Sequence, residues 1–460
     1  MKLKTNPKTN RREENFDLWL GKPAPRYTSF PPAPFFTPAV TEQDYSSYLS
    51  TLADDAGVSL YLHIPFCRSL CLYCGCNMSV TQRADRVQNY LGALKREIER
   101  VAALTGKRRV RSLHFGGGTP NILGEQELRD LFAVLRQHFD FNAAREIAME
   151  LDPRLASADQ AESLAACGIT RVSLGAQDFN PEVQLIVRRH QPYEQVAAVC
   201  AALRHAGIRR INLDLMYGLP KQTPESLADT ARRVCALAPD RVALFSYAHV
   251  PQIKKHQRVL EKYGLPDVRQ CLALENAARG VLIENGYCEI GIDHFAKEGD
   301  GLTQASREGR LHRTFQGYTE DDTPHLLGLG ASSIGQTPAG YFQNEPDARA
   351  YQSLVANGQL PIRRGFLVSP EDRLRRAIIE RLMCDLACDV AAVCRRHNFP
   401  IENLAEDFAR LRPYEEAGLI ARQGATLRLA TPYRMAVRII CKAFDPYTLG
   451  SQKILSSRVA

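Results

Sequence analysis

A repeated alternation of short apolar runs with longer amphipathic stretches constrains this chain more than any other feature. The runs Ser59–Ile64, Ser112–Phe115, Ile147–Leu151, Arg171–Leu174, Ile211–Leu215 and Val242–Tyr247 read as strands buried on both faces. Between them Asp85–Leu104, Glu125–His138, Ala158–Cys167, Tyr193–Ala206 and Pro224–Leu237 place apolar residues at helical spacing. Strand and helix units joined in series demand a parallel sheet with right-handed crossovers. Six such units predict an α/β fold, an incomplete (β/α)6 barrel open along one side. A flat doubly wound sheet shares this pattern and stays open as the alternative.

The flanks differ in character. Residues 1–58 read as an N-terminal arm, charged at first and then rich in Pro and aromatic residues (Pro31–Phe36). Residues 59–366 read as the main α/β domain. Within it, 252–365 mixes one helix (Val268–Asn285) with Gly-rich and His-rich loops that close the side of the barrel. Residues 367–460 form a small, mostly helical C-terminal domain, with helices expected over Glu371–Cys384, Val390–His397 and Ile401–Leu411. Lys and Arg exceed Asp and Glu by 59 to 51, a net charge of +8. The excess suits an anionic substrate, and with no basic run or RNA-binding motif no nucleic acid is expected. No apolar stretch reaches the roughly 18 residues a bilayer span needs, and residues 1–15 lack the apolar core of a signal peptide. A cytoplasmic protein without a membrane partner is expected. No interface stripe is evident, which favours a monomer.

Nine of the thirteen cysteines are scattered singly, and several sit in helical patterns as small buried hydrophobes. The other four crowd into one segment after the first strand: Cys67, Cys71, Cys74 and Cys76. Three thiolates at spacings of four and three can ligate three irons of a 4Fe–4S cluster and leave the fourth iron for an exogenous ligand. The amino and carboxylate groups of S-adenosylmethionine (SAM) can fill that position, after which one electron releases a 5′-deoxyadenosyl radical. A zinc site is the alternative, but no second ligand pair follows at zinc-ribbon distance. Cys76 ranks below the other three, because a saturated cluster cannot bind the cofactor.

Polar residues recur at strand ends of the same sense, where barrel active sites gather. Gly116, Gly117, Gly118 and Thr119 end the second strand, and glycines allow a backbone to approach a ligand closely. Glu150 and Asp152 end the third strand, Gln177 and Asp178 follow the fourth, Asp214 lies in the fifth, and Tyr247, Ala248 and His249 end the sixth.

The Cys-x3-Cys-x2-Cys signature with Tyr73 resembles the radical SAM superfamily. The wider chain is similar to the oxygen-independent coproporphyrinogen III oxidases (dehydrogenases) of bacterial haem synthesis. The match runs through Pro25–Ser29, the cysteine loop with Cys76, His114–Phe115, Leu174–Phe179, Asp214–Pro220, Gly291–Ala296 and His312–Tyr318. The resemblance implies a radical SAM catalytic domain with one 4Fe–4S cluster on Cys67, Cys71 and Cys74 and two SAM molecules. Tyr61, Gly117, Glu150 and Ile334 would contact the cluster-bound molecule, with Tyr61 also counted among the catalytic residues. Tyr73, Gly118, Thr119, Gln177, Arg189, Asp214 and Ala248 would contact the second. It implies oxidative decarboxylation of two propionates of coproporphyrinogen III to vinyl groups, giving protoporphyrinogen IX, with an electron donor and an electron acceptor that the sequence does not identify. The arm would lie over the active site, and Arg26 and Arg313 would hold substrate carboxylates. Two departures stand out: Phe30 and Pro32 replace the family's usual Tyr and Thr, and Pro446 is unusual. Related chains act as haem-binding chaperones or haem-modifying methyltransferases. The chaperones lack the fourth cysteine and the Arg-Tyr-Thr-Ser arm, both present here.

Overall fold

In the computed structural model the six expected strands form as β1 (Val58–Ile64), β2 (Val110–Gly117), β3 (Glu146–Leu151), β4 (Arg171–Gln177), β5 (Arg210–Tyr217) and β6 (Arg241–Ser246). The structure describes Trp19 and residues 21–449, apart from positions 54 and 433. The six strands pair parallel in chain order. Leu60, Leu62, Leu113, Phe115, Val172, Leu174, Leu213 and Leu215 bury their side chains in the main core beneath the crossover helices, which explains the apolar runs. The helices start where the sequence offers caps. Thr223 accepts the Ser226 amide in front of Pro224, and Ser369 accepts the Asp372 amide in front of Pro370.

The sheet does not stop at six strands. Beyond β6 lie β7 (Tyr287–Ile290) and β8 (His294–Lys297), with β8 antiparallel to β6. On the other edge β9 (Leu326–Leu329) runs parallel to β1 and is followed by antiparallel β10 (Ile334–Gln336), β11 (Gly340–Asn344) and β12 (Ile362–Leu367). The result is one twelve-stranded sheet whose two end strands, β12 and β7, do not pair with each other. The region expected as a helix with loops thus supplies half the strands. They are short and carry glycines where two backbones touch. A Cβ on Gly340 (φ 153°) would lie 1.9 Å from the Phe366 carbonyl oxygen, and one on Gly328 would lie 2.8 Å from the Gly335 nitrogen.

The C-terminal region contains the helices Pro370–Asp385, Val390–Arg396 and Ala405–Glu416, and adds a three-stranded sheet of Ala387–Asp389, Thr426–Leu429 and Ile420–Gln423. Its core also takes in Ala24, Tyr27 and Phe30 of the arm and Ile290 and Ile292 of the barrel edge. The arm is tied at both sides. Tyr27 donates to Asp445 Oδ2 (3.0 Å), Arg438 Nε donates to the Pro25 carbonyl (3.1 Å), and Arg26 donates to the Ser246 carbonyl at the end of β6 (3.0 Å). The two departures from the family pattern meet here: the Phe30 ring packs edge-on against Tyr447, next to Pro446. Among the described residues no helix is long and apolar enough to cross a membrane.

Candidate active site

The cysteine loop leaves β1 and closes on itself through a small parallel pairing of Phe66–Cys67 with Ser79–Val80. Its thiols are held from the carboxyl ends of the barrel strands. Thr119, just past β2, donates its hydroxyl to Cys67 Sγ (3.1 Å). Arg189 Nη1 and Arg154 Nη2 lie 3.5 and 3.7 Å from Cys71 Sγ. Both arginines also bind Asp152, which follows β3. Burial alone would push the Asp152 carboxyl up, but the Arg154 hydrogen bond and the Arg189 charge hold it below its ordinary value. A hydrogen bond with Cys76 brings the Cys74 thiol down to about 6, whereas burial pushes the Cys67 thiol up to about 12. Iron replaces the proton on such a thiol when it binds.

This donor set fits a 4Fe–4S cluster. Three thiols supply the ligands, and hydroxyl and guanidinium N–H groups are placed to satisfy the charge on the sulfurs. Among the described residues no three His, Cys, Asp or Glu side chains converge closely enough to hold a single metal ion. Cys76 is exposed and Cys74 half-buried, on the open side of the loop.

The expected cofactor residues fall into connected groups around the thiols. Glu150 accepts the Gly117 amide (3.3 Å) and lies 3.3 Å from His114 Nε2; the His114 ring stacks on Tyr61, whose hydroxyl is 3.0 Å from His63 Nδ1. Gly117 is required there, since it has φ 118° and a Cβ would lie 2.7 Å from the His63 ring. Gly118 crosses the Phe66 backbone just as tightly. Ile334 opens β10, with its backbone against Gly328, the β9 partner of Tyr61. Tyr73 sits beside Cys71 and Arg189. Gln177 takes a left-handed φ of 62° at the end of β4, where Arg189 Nη2 donates to the Gly175 carbonyl (2.9 Å). Asp214 accepts from Ser173 Oγ (3.0 Å) and Asn212 Nδ2 (2.7 Å) inside the barrel, and burial, reinforced by the Glu150 charge, pushes it up to about 6. Ala248 follows β6 and is joined to Tyr73 through one side chain: Gln257 Nε2 donates to both carbonyls, at 3.1 and 2.9 Å.

Gln257 is fully buried and was not marked by the sequence, nor were its neighbours. His256 Nε2 lies 2.9 Å from the Cys74 carbonyl and Lys254 Nζ donates to the Cys76 carbonyl (2.7 Å). One segment, 180 residues downstream, therefore clasps the backbone of the cysteine loop. Backbone carbonyls accept from any donor, so no motif marks their partners. Arg154 and His63 stand within two residues of Asp152 and Tyr61, and that proximity was the only available signal.

Inside the barrel below Glu150 and Asp214 is a cavity of about 180 Å³, lined also by Phe245, His294, Gln316 and Tyr318. Next to its lining residue Thr314, Arg313 is 8% exposed, lies over the Tyr318 ring and stands 3.6 Å from Asp293. Arg26, Arg313 and Arg438 all act on the single buried carboxylate of Asp293. Burial alone would raise that carboxyl, but Arg313, His294 and Arg26 hold it well below its ordinary value. Burial brings the Arg438 guanidinium down to about 9. Neither Arg26 nor Arg313 is a free surface arginine.

Residues 61–234 match the radical SAM superfamily and residues 368–431 match the HemN C-terminal domain. An oxygen-independent coproporphyrinogen III oxidase of Bradyrhizobium diazoefficiens is 44% identical over 439 residues, covering 94% of this chain and 96% of that protein. The enzyme of the same name from Escherichia coli (strain K12) is 40% identical over 426 residues, covering 92% and 93%. The solved structure of coproporphyrinogen III oxidase (HemN) from Escherichia coli, described as a radical SAM enzyme, superposes with a TM-score of 0.87 at 39% identity, covering 92% of this chain and 97% of that one. This chain belongs to the oxygen-independent coproporphyrinogen III oxidase family of the radical SAM superfamily, whose chemistry rests on a 4Fe–4S cluster and S-adenosylmethionine.

Proposed function

We propose that the chain converts coproporphyrinogen III to protoporphyrinogen IX, oxidatively decarboxylating two propionates to vinyl groups with one cluster on Cys67, Cys71 and Cys74 and two SAM molecules. When bound, the cluster and SAM supply a one-electron cleavage that yields a 5′-deoxyadenosyl radical able to take a hydrogen atom. Each propionate then gives up one hydrogen atom from its β-carbon, CO2 and one electron, so an electron donor and an electron acceptor must both visit the protein. Glu150 and Tyr61, with the close backbones of Gly117 and Ile334, receive the cluster-bound SAM. Asp214, Gln177 and Arg189, with Tyr73, Gly118, Thr119 and Ala248, receive the second. Arg26 and Arg313 hold carboxylates of the substrate by charge-assisted hydrogen bonds.

The observation that carries this reading is the joining of the cysteine loop to the strand ends that bear the cofactor residues. Cys67 is bonded to Thr119 and Cys71 to the Arg189–Asp152 pair. The buried positive excess around Asp293 supports an anionic substrate at the rim of the barrel. In this reading residues 1–58 are the arm over the site, 59–366 the catalytic domain and 367–460 a small, mostly helical C-terminal domain. No disulfide joins any of the thirteen cysteines, which suits a protein working in a reducing cytoplasm.

The test is anaerobic reconstitution with iron and sulfide, followed by reductant, SAM and coproporphyrinogen III. Protoporphyrinogen IX, CO2 and 5′-deoxyadenosine are expected together. 5′-Deoxyadenosine without decarboxylation would reject this substrate, and an intact cluster that yields neither would reject the reaction.

A further inference from the structure

We infer that a second cavity, walled by the arm, the hairpin His312–Thr314/Gly317–Thr319 and the helix Pro370–Asp385, receives one carboxylate of the substrate. This rests on the substrate reading above and names a subsite for it. The cavity measures about 220 Å³ and is lined by Tyr27, Ser29, Arg313, Thr314, Asp321 and Arg376 among others. It adjoins the barrel cavity, because Thr314 and Asp321 line both.

The charges in its wall are unevenly matched. Each acid is already occupied. Asp321 accepts from the Ser59 and Ser112 hydroxyls and from the Thr323 amide. Glu380 pairs with His312 (3.1 Å), and Asp322 lies 4.0 Å from Arg111. The guanidinium groups are not so satisfied. Arg313, 8% exposed, has only the Asp293 carboxylate 3.6 Å from Nη1, so its buried Nε and Nη1 make no hydrogen bond among the described residues, and neither does the buried Nη1 of Arg376. Buried N–H donors are otherwise paired in folded proteins, so acceptors are what this cavity lacks. A carboxylate is the complementary group: it is planar and anionic, and its two oxygens match a guanidinium fork. A tetracarboxylate lying in the barrel cavity has side chains radiating from its ring, and the shared wall at Thr314 and Asp321 offers one of them a way through.

The test uses the cluster-loaded protein and coproporphyrin III, the aromatic counterpart that keeps all four carboxylates, with its tetramethyl ester as the uncharged control. Binding is read by fluorescence. Arg376→Met is expected to weaken coproporphyrin III binding on the order of tenfold to a hundredfold, the worth of a charge-assisted hydrogen bond, with cluster content unchanged. Arg376→Lys should recover part of the loss, and the ester should bind both proteins alike. Equal affinity of wild type and Arg376→Met for coproporphyrin III would overturn the subsite while leaving the proposed function standing, provided the wild type turns over coproporphyrinogen III. Failure of the wild type to bind coproporphyrin III at all would overturn both.

Discussion

Glu97 offers a quantitative test of how the fold holds its cofactor edge. It lies in the helix Ala84–Thr105 and is 2% exposed. Its carboxylate accepts the Gly330 amide (2.7 Å), the Tyr351 hydroxyl (2.5 Å) and Asn344 Nδ2 (2.6 Å). Those bonds pin the turn between β9 and β10 that leads to Ile334. Burial nevertheless pushes the carboxyl from 4.5 up to about 7. A folded-state value above the unfolded one means that the proton is held more tightly in the fold. The stabilisation is complete below the unfolded value and is lost as the pH rises through 7. The whole displacement corresponds to about 3 kcal/mol, most of which falls between pH 5 and pH 8. Glu97→Gln keeps the shape and removes the titration. Urea midpoints of wild type and variant at pH 5 and pH 8 give a double difference in which the other titrating groups cancel. The wild type should lose about 2–3 kcal/mol relative to the variant over that range. Parallel pH dependence in the two proteins would show that Glu97 does not titrate on unfolding.

Other perturbations act closer to the chemistry. Cys67→Ser, Cys71→Ser and Cys74→Ser should each lose iron, sulfide and visible absorbance while Cys76→Ser keeps them; retention in the first three would remove the central assignment. Thr119→Val should keep the cluster but lower its reduction potential, because Cys67 Sγ loses a hydrogen bond; a redox titration showing no change would discount that bond. Asp214, pushed up to about 6, is neutral below that pH and charged above it, so SAM uptake that needs its carboxylate should rise through pH 6. Equilibrium dialysis should show Asp214→Asn abolishing that step, and a step that persisted would assign it to another group. Gln257→Leu should cost about 3 kcal/mol by orphaning the Tyr73 and Ala248 carbonyls and the Val250 amide. It should also speed iron loss to a chelator, and unchanged chelator resistance would show that the clasp does not guard the cluster.

What could be read in the sequence was what depends on near neighbours along the chain. The thiol spacing, the glycines closing β2, Glu150 near the end of β3 and Asp214 within β5 are each set within a few residues, and period-2 and period-3.6 patterns locate them on strands and helices. Glu97 shows where that reasoning stops. A glutamate on an amphipathic helix reads as a solvated residue, and only the return of β9–β11 across that helix makes it a buried anchor. The same holds for Gln257, whose partners lie at Tyr73 and Ala248, and for Arg313, whose partner Asp293 belongs to the bend between β7 and β8. The strands that escaped notice are the cause in most of these cases. Because β9 adds in parallel beside β1, the turn after it comes back over the start of the cysteine loop: Ala331 donates to the Tyr90 hydroxyl, and that hydroxyl donates to the His63 carbonyl. The strands that extend the sheet past β1 therefore also brace the first strand of the site from behind. An insertion in the turn between β9 and β10 should accordingly disturb His63 and Tyr61 before it disturbs the core.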